Sequence, residues 1–404
     1  MTADTPRFLP YGRQWIEADD IAAVAEVLRS DWLTTGPAVT EFENELAARV
    51  GACHAVVCAN GTAALHLAAL ALNIQPGDHV IVPAMTFLAT ANAIRFVGGE
   101  VVFADVDPQT GLMGPEHLLA ACQRAAGKPL KAVFPVHLNG QCVAMDQLAP
   151  IASEQGLQVV EDACHALGST YPDPHGRSVP AGSCQLSDMT VFSFHPVKTI
   201  AMGEGGAITC NQEHLRDRLR RLRSHGMHQN PREFAHPELA LASDGTANPW
   251  YYEMPEPGFN YRISDINCAL GRSQLRKLDR FAARRSDLAA RYDRLLAPLA
   301  PRIRPIARQP GQTPVWHLYA VHIDFDQVSL ERAALMHALR ARGIGTQVHY
   351  LPVSDQPYYR QRYGDLDLPG ARSYYRRVLS LPLFPSMLDT DVERVVEALT
   401  QLLA

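Results

Sequence analysis

The stretch MTVFSFHPVKTIAMGEGGAITC, residues 189–210, holds two apolar runs, MTVFSF and GAITC; one lysine, Lys198, lies between them and is followed by three glycines, Gly203, Gly205 and Gly206. Ser193 and His195 alternate with Phe192 and Phe194, as a strand with one buried face requires. Lys198 lies just beyond that strand's end. An isolated buried ammonium is costly, so Lys198 must be paired, solvated or deprotonated for chemistry. A solvated surface lysine with its stem on apolar neighbours fits the local sequence too.

Five further apolar runs precede this pair: HAVVCA, HVIVP, EVVFA, KAVFPVH and LQVVED, all between about residue 50 and the stretch itself. Helical patterns lie between them, for instance Gly61–Leu72 and Met145–Gln155, with apolar residues on one face. Runs of this kind alternating with helices indicate crossover units and an α/β domain built on a mostly parallel, seven-stranded sheet. Ligands in such sheets sit at the carboxyl ends of the strands.

Two more strand ends carry chemistry. In VVCANGTAALHLAAL a strand closes at about Ala59, a tight Asn60-Gly61-Thr62 turn follows, and a helix begins. Backbone N–H groups at such a helix start bind phosphate, so Gly61 and Thr62 are phosphate candidates; an ordinary capped helix fits equally well. The turn is neither a Walker loop nor a GxGxxG fingerprint. In LQVVEDACHALGS the strand ends at Glu161-Asp162, and His165 follows. Asp162 there either holds a proton on a ring nitrogen or caps the next turn, and His165 is placed to reach a neighbouring hydroxyl. A phosphate-type turn, an aspartate and a lysine on one sheet end ask for an anionic tail, a heteroaromatic nitrogen and an aldehyde. Pyridoxal phosphate meets all three.

The 404-residue chain, 47% hydrophobic, is long enough for a large domain with a smaller one attached. Its net charge of −5, from 37 basic and 42 acidic residues mixed along the chain, gives no footprint for nucleic acid. Eight cysteines without a Cys-x-x-Cys pair or zinc spacing read as reduced thiols, and no metal site is expected. No segment is apolar enough to act as a leader or to span a bilayer, so a soluble cytoplasmic protein without membrane contact is expected. Residues 229–257 read as a long functional loop. ISDINCALGRSQLRKLDRFAARRSDLAARYDRLL, Ile263–Leu296, reads as one amphipathic helix with Ser264 as N-cap. Beyond the irregular joint PRIRPIARQPGQTP, strand-like VWHLYAVHIDF and GTQVHY flank a helix around Leu330–Arg342, giving a small α+β domain.

These residues together resemble the DegT/DnrJ/EryC/StrS sugar aminotransferases, whose fold is the type I, aspartate aminotransferase-like fold of pyridoxal phosphate-dependent transferases. WLTTGPAVTEFENELA, ANGTAALHLA, VPAMTFLATANAI, VEDACHALGS, SFHPVKTIAMGEGGAI, RSHGM, GFNYRISDINCALGRSQL and HYLPVSDQPYY occur in family order. The resemblance implies a pyridoxal 5′-phosphate enzyme that passes through pyridoxamine 5′-phosphate. Lys198 matches the Schiff-base lysine, Asp162 the partner of the pyridine nitrogen, His165 the contact to the 3-hydroxyl, and Phe87 the aromatic residue over the ring. Gly61, Thr62 and Ser193 match phosphate ligands. Asn260 matches an asparagine lent by a neighbouring subunit, which implies a homodimer with shared sites. A large domain over 14–262 and a small one over 263–404 are expected, with segment 1–13 packing near the latter.

Within the family, SFHPVKTI with GEGGA, RSHGM and VHYLPVSDQPYY is most similar to the transaminase of pseudaminic acid biosynthesis. That similarity implies L-glutamate as donor, 2-oxoglutarate as product, and UDP-2-acetamido-2,6-dideoxy-β-L-arabino-hex-4-ulose as acceptor, giving UDP-4-amino-4,6-dideoxy-N-acetyl-β-L-altrosamine. Other members act on dTDP- or GDP-4-keto sugars. His349 and Tyr350 in that segment either border the sugar nucleotide or pack in the small domain, and His195 is open between substrate contact and packing. A sugar dehydratase would carry histidine in the lysine's place, so Lys198 argues against it. A non-catalytic sugar-nucleotide-binding or regulatory relative would not need the lysine, aspartate and phosphate turn together.

Overall fold

The computed structural model describes residues 7–328 and 330–403. The apolar runs form strands β1 His54–Cys58, β2 His79–Pro83, β3 Glu100–Ala104, β4 Leu130–Val133 and β5 Gln158–Asp162. A short ribbon follows, β6 Thr170–Pro172 with β7 Ser178–Pro180, and then β8 Met189–Ser193 and β9 Gly206–Cys210. Seven of these make one sheet in the order β1-β9-β8-β5-β4-β2-β3. Pairs from β8 through β5, β4 and β2 to β3 are parallel, while β9 runs antiparallel to both of its neighbours. The sheet is therefore mostly parallel, and the sequence 189–210 is its one hairpin.

That order explains why the site forms where it does. β1, β9, β8 and β5 are adjacent, so the ends of β1, β5 and β8 and the start of β9 lie within about three strand spacings, roughly 14 Å. Gly206 faces Cys58 on one side and Ser193 on the other. A Cβ there would lie 2.3 Å from the Asn60 carbonyl oxygen, so only glycine lets the turn after β1 settle on the sheet edge. Helices Gly61–Ala71 and Met145–Glu154 occupy the two stretches read as helical. Asn60 caps the first, its side chain accepting from the Ala63 N–H at 2.9 Å.

The region read as one helix over Ile263–Leu296 is two helices, Asp265–Leu275 and Leu278–Leu296. Ser264 caps the first as expected, accepting from the Asn267 N–H. At the break the Lys277 N–H bonds to Gln274 O, a tighter turn, and the Lys277 ammonium reaches Asp19 and the buried Asp20. The first helix buries Cys268 and Leu275 in the large core, and Asp265 accepts from the Gly36 and Ala38 N–H groups. Leu278 and Phe281 also belong to that core, whereas Leu288, Tyr292 and Leu296 belong to a second one. The passage between cores thus falls inside the second helix rather than at Ile263.

The second core is built on an antiparallel sheet, β10 Ile303–Pro305, β11 Tyr319–Ile323 and β12 Val378–Leu381, in that order. It is covered by helices Arg332–Ala341 and Asp389–Leu402. GTQVHY, read as a strand, is not one: Gln347 makes a single bridge to Ser380, and the chain then leaves the sheet, with the Tyr350 N–H reaching Met85 Sδ. The third strand comes instead from VLSL near the C-terminus. Of segment 1–13, residues 1–6 lie outside the described residues. Leu9 is buried in the second core and bonds through its backbone to Gly343 and Gly345. Residues 229–257 are largely irregular, with one short helical turn, Pro231–Glu233, and one short helix, Pro237–Ala240.

Candidate active site

Beyond Ser193, the β8–β9 hairpin opens into an excursion that is tied back at its base, where Phe194 N–H bonds to Gly205 O and Met202 N–H to Phe194 O. Within it, the Lys198 N–H bonds to His195 O, and Gly203 adopts a φ of 79° that favours glycine. Asn267 holds the loop from outside, donating to the carbonyls of Met202 and Glu204. This anchor gives Glu204 its place on the wall of a cavity of about 850 Å³ that also contains the Lys198 side chain.

Lys198 is half-buried, and its amine has no hydrogen bond or ion pair among the described residues. Burial pushes its pKa below the ordinary lysine value, while the charges of Cys164 and Asp162 oppose the shift. Asp162 closes β5 and is buried; its carboxylate accepts from Thr90 Oγ1 at 2.7 Å and from the Cys164 N–H at 3.1 Å. Thr90 is steadied in turn by Thr86 at 2.8 Å. The carboxylate is thereby aimed into the cavity with lone pairs to spare.

At the cavity floor the Gly61–Ala71 helix begins beside Ser193. A Cβ on Gly61 would lie 2.9 Å from Ser193 Cβ, so the cradle exposes backbone N–H groups, with the Thr62 and Ser193 hydroxyls alongside. Phe87, at the start of helix Leu88–Phe96, is 55% exposed because it faces the open cavity, with its ring centroid 6.0 Å from that of Tyr350. His165 is buried; its Nε2 lies 3.1 Å from the Tyr350 hydroxyl, and its pKa is held well below the usual value by burial and then by Lys198. His349 bonds to Ser380 Oγ at 2.8 Å, and burial followed by the Lys198 charge brings its pKa down to about 3. His195 is exposed at the rim.

The cavity therefore gathers Lys198, Asp162, His165, Gly61, Thr62, Phe87, Ser193, His195, His349 and Tyr350. Asn260 is exposed, bridges Ser224, and does not line it. Sequence reading missed Thr90, which orients Asp162, and His317 and Tyr11, which reach the cavity from the far part of the chain and from the N-terminal segment. No local pattern marks these three, because their neighbours arrive only through tertiary packing. The residues present fit pyridoxal phosphate: a side-chain-free cradle for an anion, a fixed buried carboxylate for a ring nitrogen, and a desolvated amine without a competing partner.

A family model described as the DegT/DnrJ/EryC1/StrS aminotransferase family matches residues 14–400. The chain is 41% identical over 394 residues to the spore coat polysaccharide biosynthesis protein SpsC of Bacillus subtilis (strain 168), covering 97% of this chain and 96% of SpsC. Its structure is similar to that of Helicobacter pylori PseC, an aminotransferase involved in the biosynthesis of pseudoaminic acid, with a TM-score of 0.86 at 27% identity, covering 98% and 99% of the two chains. It is also similar to the putative sugar aminotransferase Spr1654 from Streptococcus pneumoniae in its PLP-form, with a TM-score of 0.85 at 28% identity over 98% of each chain.

Proposed function

The chain belongs to the DegT/DnrJ/EryC1/StrS aminotransferase family and is a pyridoxal phosphate-dependent sugar aminotransferase, and from that premise we propose that it moves the amino group of L-glutamate to C4 of a nucleotide-linked 4-keto-6-deoxy sugar. The acceptor proposed is UDP-2-acetamido-2,6-dideoxy-β-L-arabino-hex-4-ulose, which places the enzyme in pseudaminic acid synthesis. The observation that carries the reaction is the partnerless, desolvated Lys198 amine beside the fixed Asp162 carboxylate.

Pyridoxal phosphate, when bound, supplies an aldehyde that carries the amino group and a ring that takes up the charge formed at the donor's α-carbon. Gly61, Thr62 and Ser193 would hold its phosphate, Phe87 its ring face, and His165, directly or through Tyr350, its ring oxygen. Asp162 would keep a proton on the ring nitrogen, with Thr90 holding Asp162 in place. Lys198 Nζ, whose burial disfavours the ammonium, would in its deprotonated form take the proton from the α-carbon of glutamate. In the return half it delivers a proton to C4 of the sugar. One product leaves before the second substrate enters, so ping-pong kinetics follow.

The functional unit is a homodimer in which Asn260 completes the site of a second copy. Support comes from the exposure of Asn260 and its place outside its own chain's cavity. The eight free cysteines suit a reducing cytoplasm, and no helix among the described residues is long and apolar enough to cross a membrane. A second acceptor reading, a different keto sugar nucleotide serving a polysaccharide, is favoured by the higher identity to SpsC than to PseC.

The test is a panel of UDP-, dTDP- and GDP-linked 4-keto sugars offered to the yellow holoenzyme with L-glutamate. Preference for the UDP-arabino-hexulose supports the assignment, and preference for a dTDP or GDP sugar overturns that acceptor alone. Failure of L-glutamate to bleach the visible band, with no sugar aminated, overturns the reaction proposed.

A further inference from the structure

Behind the cavity, where the two cores meet, Asn139 is fully buried in the turn after β4 with a left-handed φ of 62°. Such a backbone is strained for a residue other than glycine and persists only where its surroundings fix it. Here they do. The side-chain amide donates to the Tyr374 hydroxyl at 3.1 Å, and the carbonyl accepts from the His317 N–H at 3.1 Å. At the next residue, Gly140, a Cβ would lie 2.2 Å from the Val315 carbonyl oxygen, so the turn is pressed directly onto the segment that leads into β11. With the backbone fixed, the Asn139 N–H is directed at His165 Nδ1, 3.4 Å away.

A backbone N–H only donates, so Nδ1 accepts. Burial and the nearby Lys198 charge keep the imidazole neutral. A neutral ring that accepts at Nδ1 carries its proton on Nε2, the atom 3.1 Å from the Tyr350 hydroxyl. His165 therefore donates to Tyr350, and the phenol's own proton has no acceptor among the described residues. Tyr350 lines the cavity, opposite Phe87.

We propose that Asn139 and His165 are positioning residues that turn Tyr350 into a hydrogen-bond donor toward an oxygen of the group bound over Asp162 and Lys198. The proposal rests on reading the cavity as the site of pyridoxal phosphate and a keto sugar. Two oxygens share the required chemistry, the cofactor's ring oxygen and the sugar's keto oxygen.

The imidazole is read first, in cofactor-free protein, by ¹⁵N NMR of labelled histidine, with His165→Asn identifying the resonance. Wild type and Asn139→Gly, which takes a left-handed φ freely, should show an unprotonated Nδ1. Asn139→Val, β-branched and unsuited to that φ, should lose this state. A protonated Nδ1 in the wild type overturns the proposal whether or not the protein binds cofactor.

The holoenzyme then distinguishes the two oxygens. If the acceptor is the cofactor's, Tyr350→Phe raises the pH midpoint of the visible band by about one unit, since the removed bond favoured the charged oxygen. If it is the sugar's, the midpoint stays and turnover of the keto sugar falls about tenfold or more, while bleaching by glutamate keeps its rate. A yellow, active Tyr350→Phe enzyme with neither change overturns the donor role and leaves the aminotransferase reading standing. A wild-type protein that never turns yellow with added cofactor sinks that reading instead, and should Asn139→Val fail to fold, the wild-type spectrum and Tyr350→Phe still decide.

Discussion

His322 lies on β11, 2% exposed, with neither ring nitrogen hydrogen-bonded and its ring edge-on to Tyr374. Burial, with the charges of Arg377 and Arg304 adding to it and Asp107 opposing, holds its pKa down to about 4. The unfolded chain titrates near the free value, about 6.5. Because the folded value is the lower one, the unfolded state binds the proton more tightly, and stability rises with pH across the interval. The contribution is fully present above about pH 6.5 and is lost as pH falls toward about 4, with a slope near 1.4 kcal/mol per pH unit. From pH 7 to pH 5 this one side chain therefore removes about 2 kcal/mol. His322→Leu takes away the proton site without breaking a hydrogen bond, so it should be close to neutral at pH 7 and should recover about that amount at pH 5. Urea unfolding of both proteins at the two pH values measures it directly. His322 is outside the cavity lining, so any change in acid stability is separate from cofactor contacts. If the variant loses as much stability as wild type between pH 7 and pH 5, the reasoning from burial is refuted.

Lys198→Ala should abolish amination of any keto sugar while leaving the circular dichroism of the fold unchanged; turnover at the wild-type rate would remove Lys198 from the mechanism. Gly206→Ala forces a methyl to within 2.3 Å of Asn60 O, so the turn before Gly61 must move, and overpacking of this kind costs about 1–3 kcal/mol. The expected readout is weaker retention of cofactor on dialysis, and unchanged retention would show that the turn is not the phosphate cradle. Lys198→Ala and Asn260→Ala, each inactive alone, should regain activity when mixed under conditions that exchange subunits, because one mixed site then has both residues. Mixtures that stay inactive argue against a shared site.

The parts of the site that were legible in the sequence are those whose function depends on position at a strand end. β1, β5 and β8 each end in a short motif, and the carboxyl ends of parallel strands share one edge of the sheet, where the order β1-β9-β8-β5 makes these three near neighbours. Asp162, Ser193 and the Gly61 turn could thus be grouped before any contact was known. GTQVHY misled because alternation of polar and apolar residues reports a two-sided environment, not pairing. Its two sides are β12, through His349 and Ser380, and the cavity, through Tyr350 and His165. The long helix over Ile263–Leu296 misled for a related reason: the apolar stripe runs on through residues 275–278, while Lys277 is drawn out of register by carboxylates that lie more than 250 residues earlier.

Lys198 shows most sharply what the sequence leaves open. Solvation, pairing and deprotonation are all compatible with a lysine at a strand end, and the residues next to it do not settle which applies. The choice is made by burial, which disfavours the ammonium, and by Asp162, whose two oxygens already accept from Thr90 and the Cys164 N–H, with no hydrogen bond or ion pair to the Lys198 amine among the described residues. An ion pair between Lys198 and Asp162 would have held the ammonium charged and silenced both groups. By tying Asp162 to Thr90 from a neighbouring helix, the fold fixes the carboxylate for a ring nitrogen and leaves the lysine amine without an ion-pair partner among the described residues, where burial disfavours its charged form. The reactivity of Lys198 thus depends on a threonine 108 positions away in the chain, and Thr90→Val should raise the pH at which Lys198 becomes competent for proton transfer by freeing Asp162 to pair with it. A pH–rate profile with an unchanged ascending limb in that variant would show that burial alone sets the lysine's state.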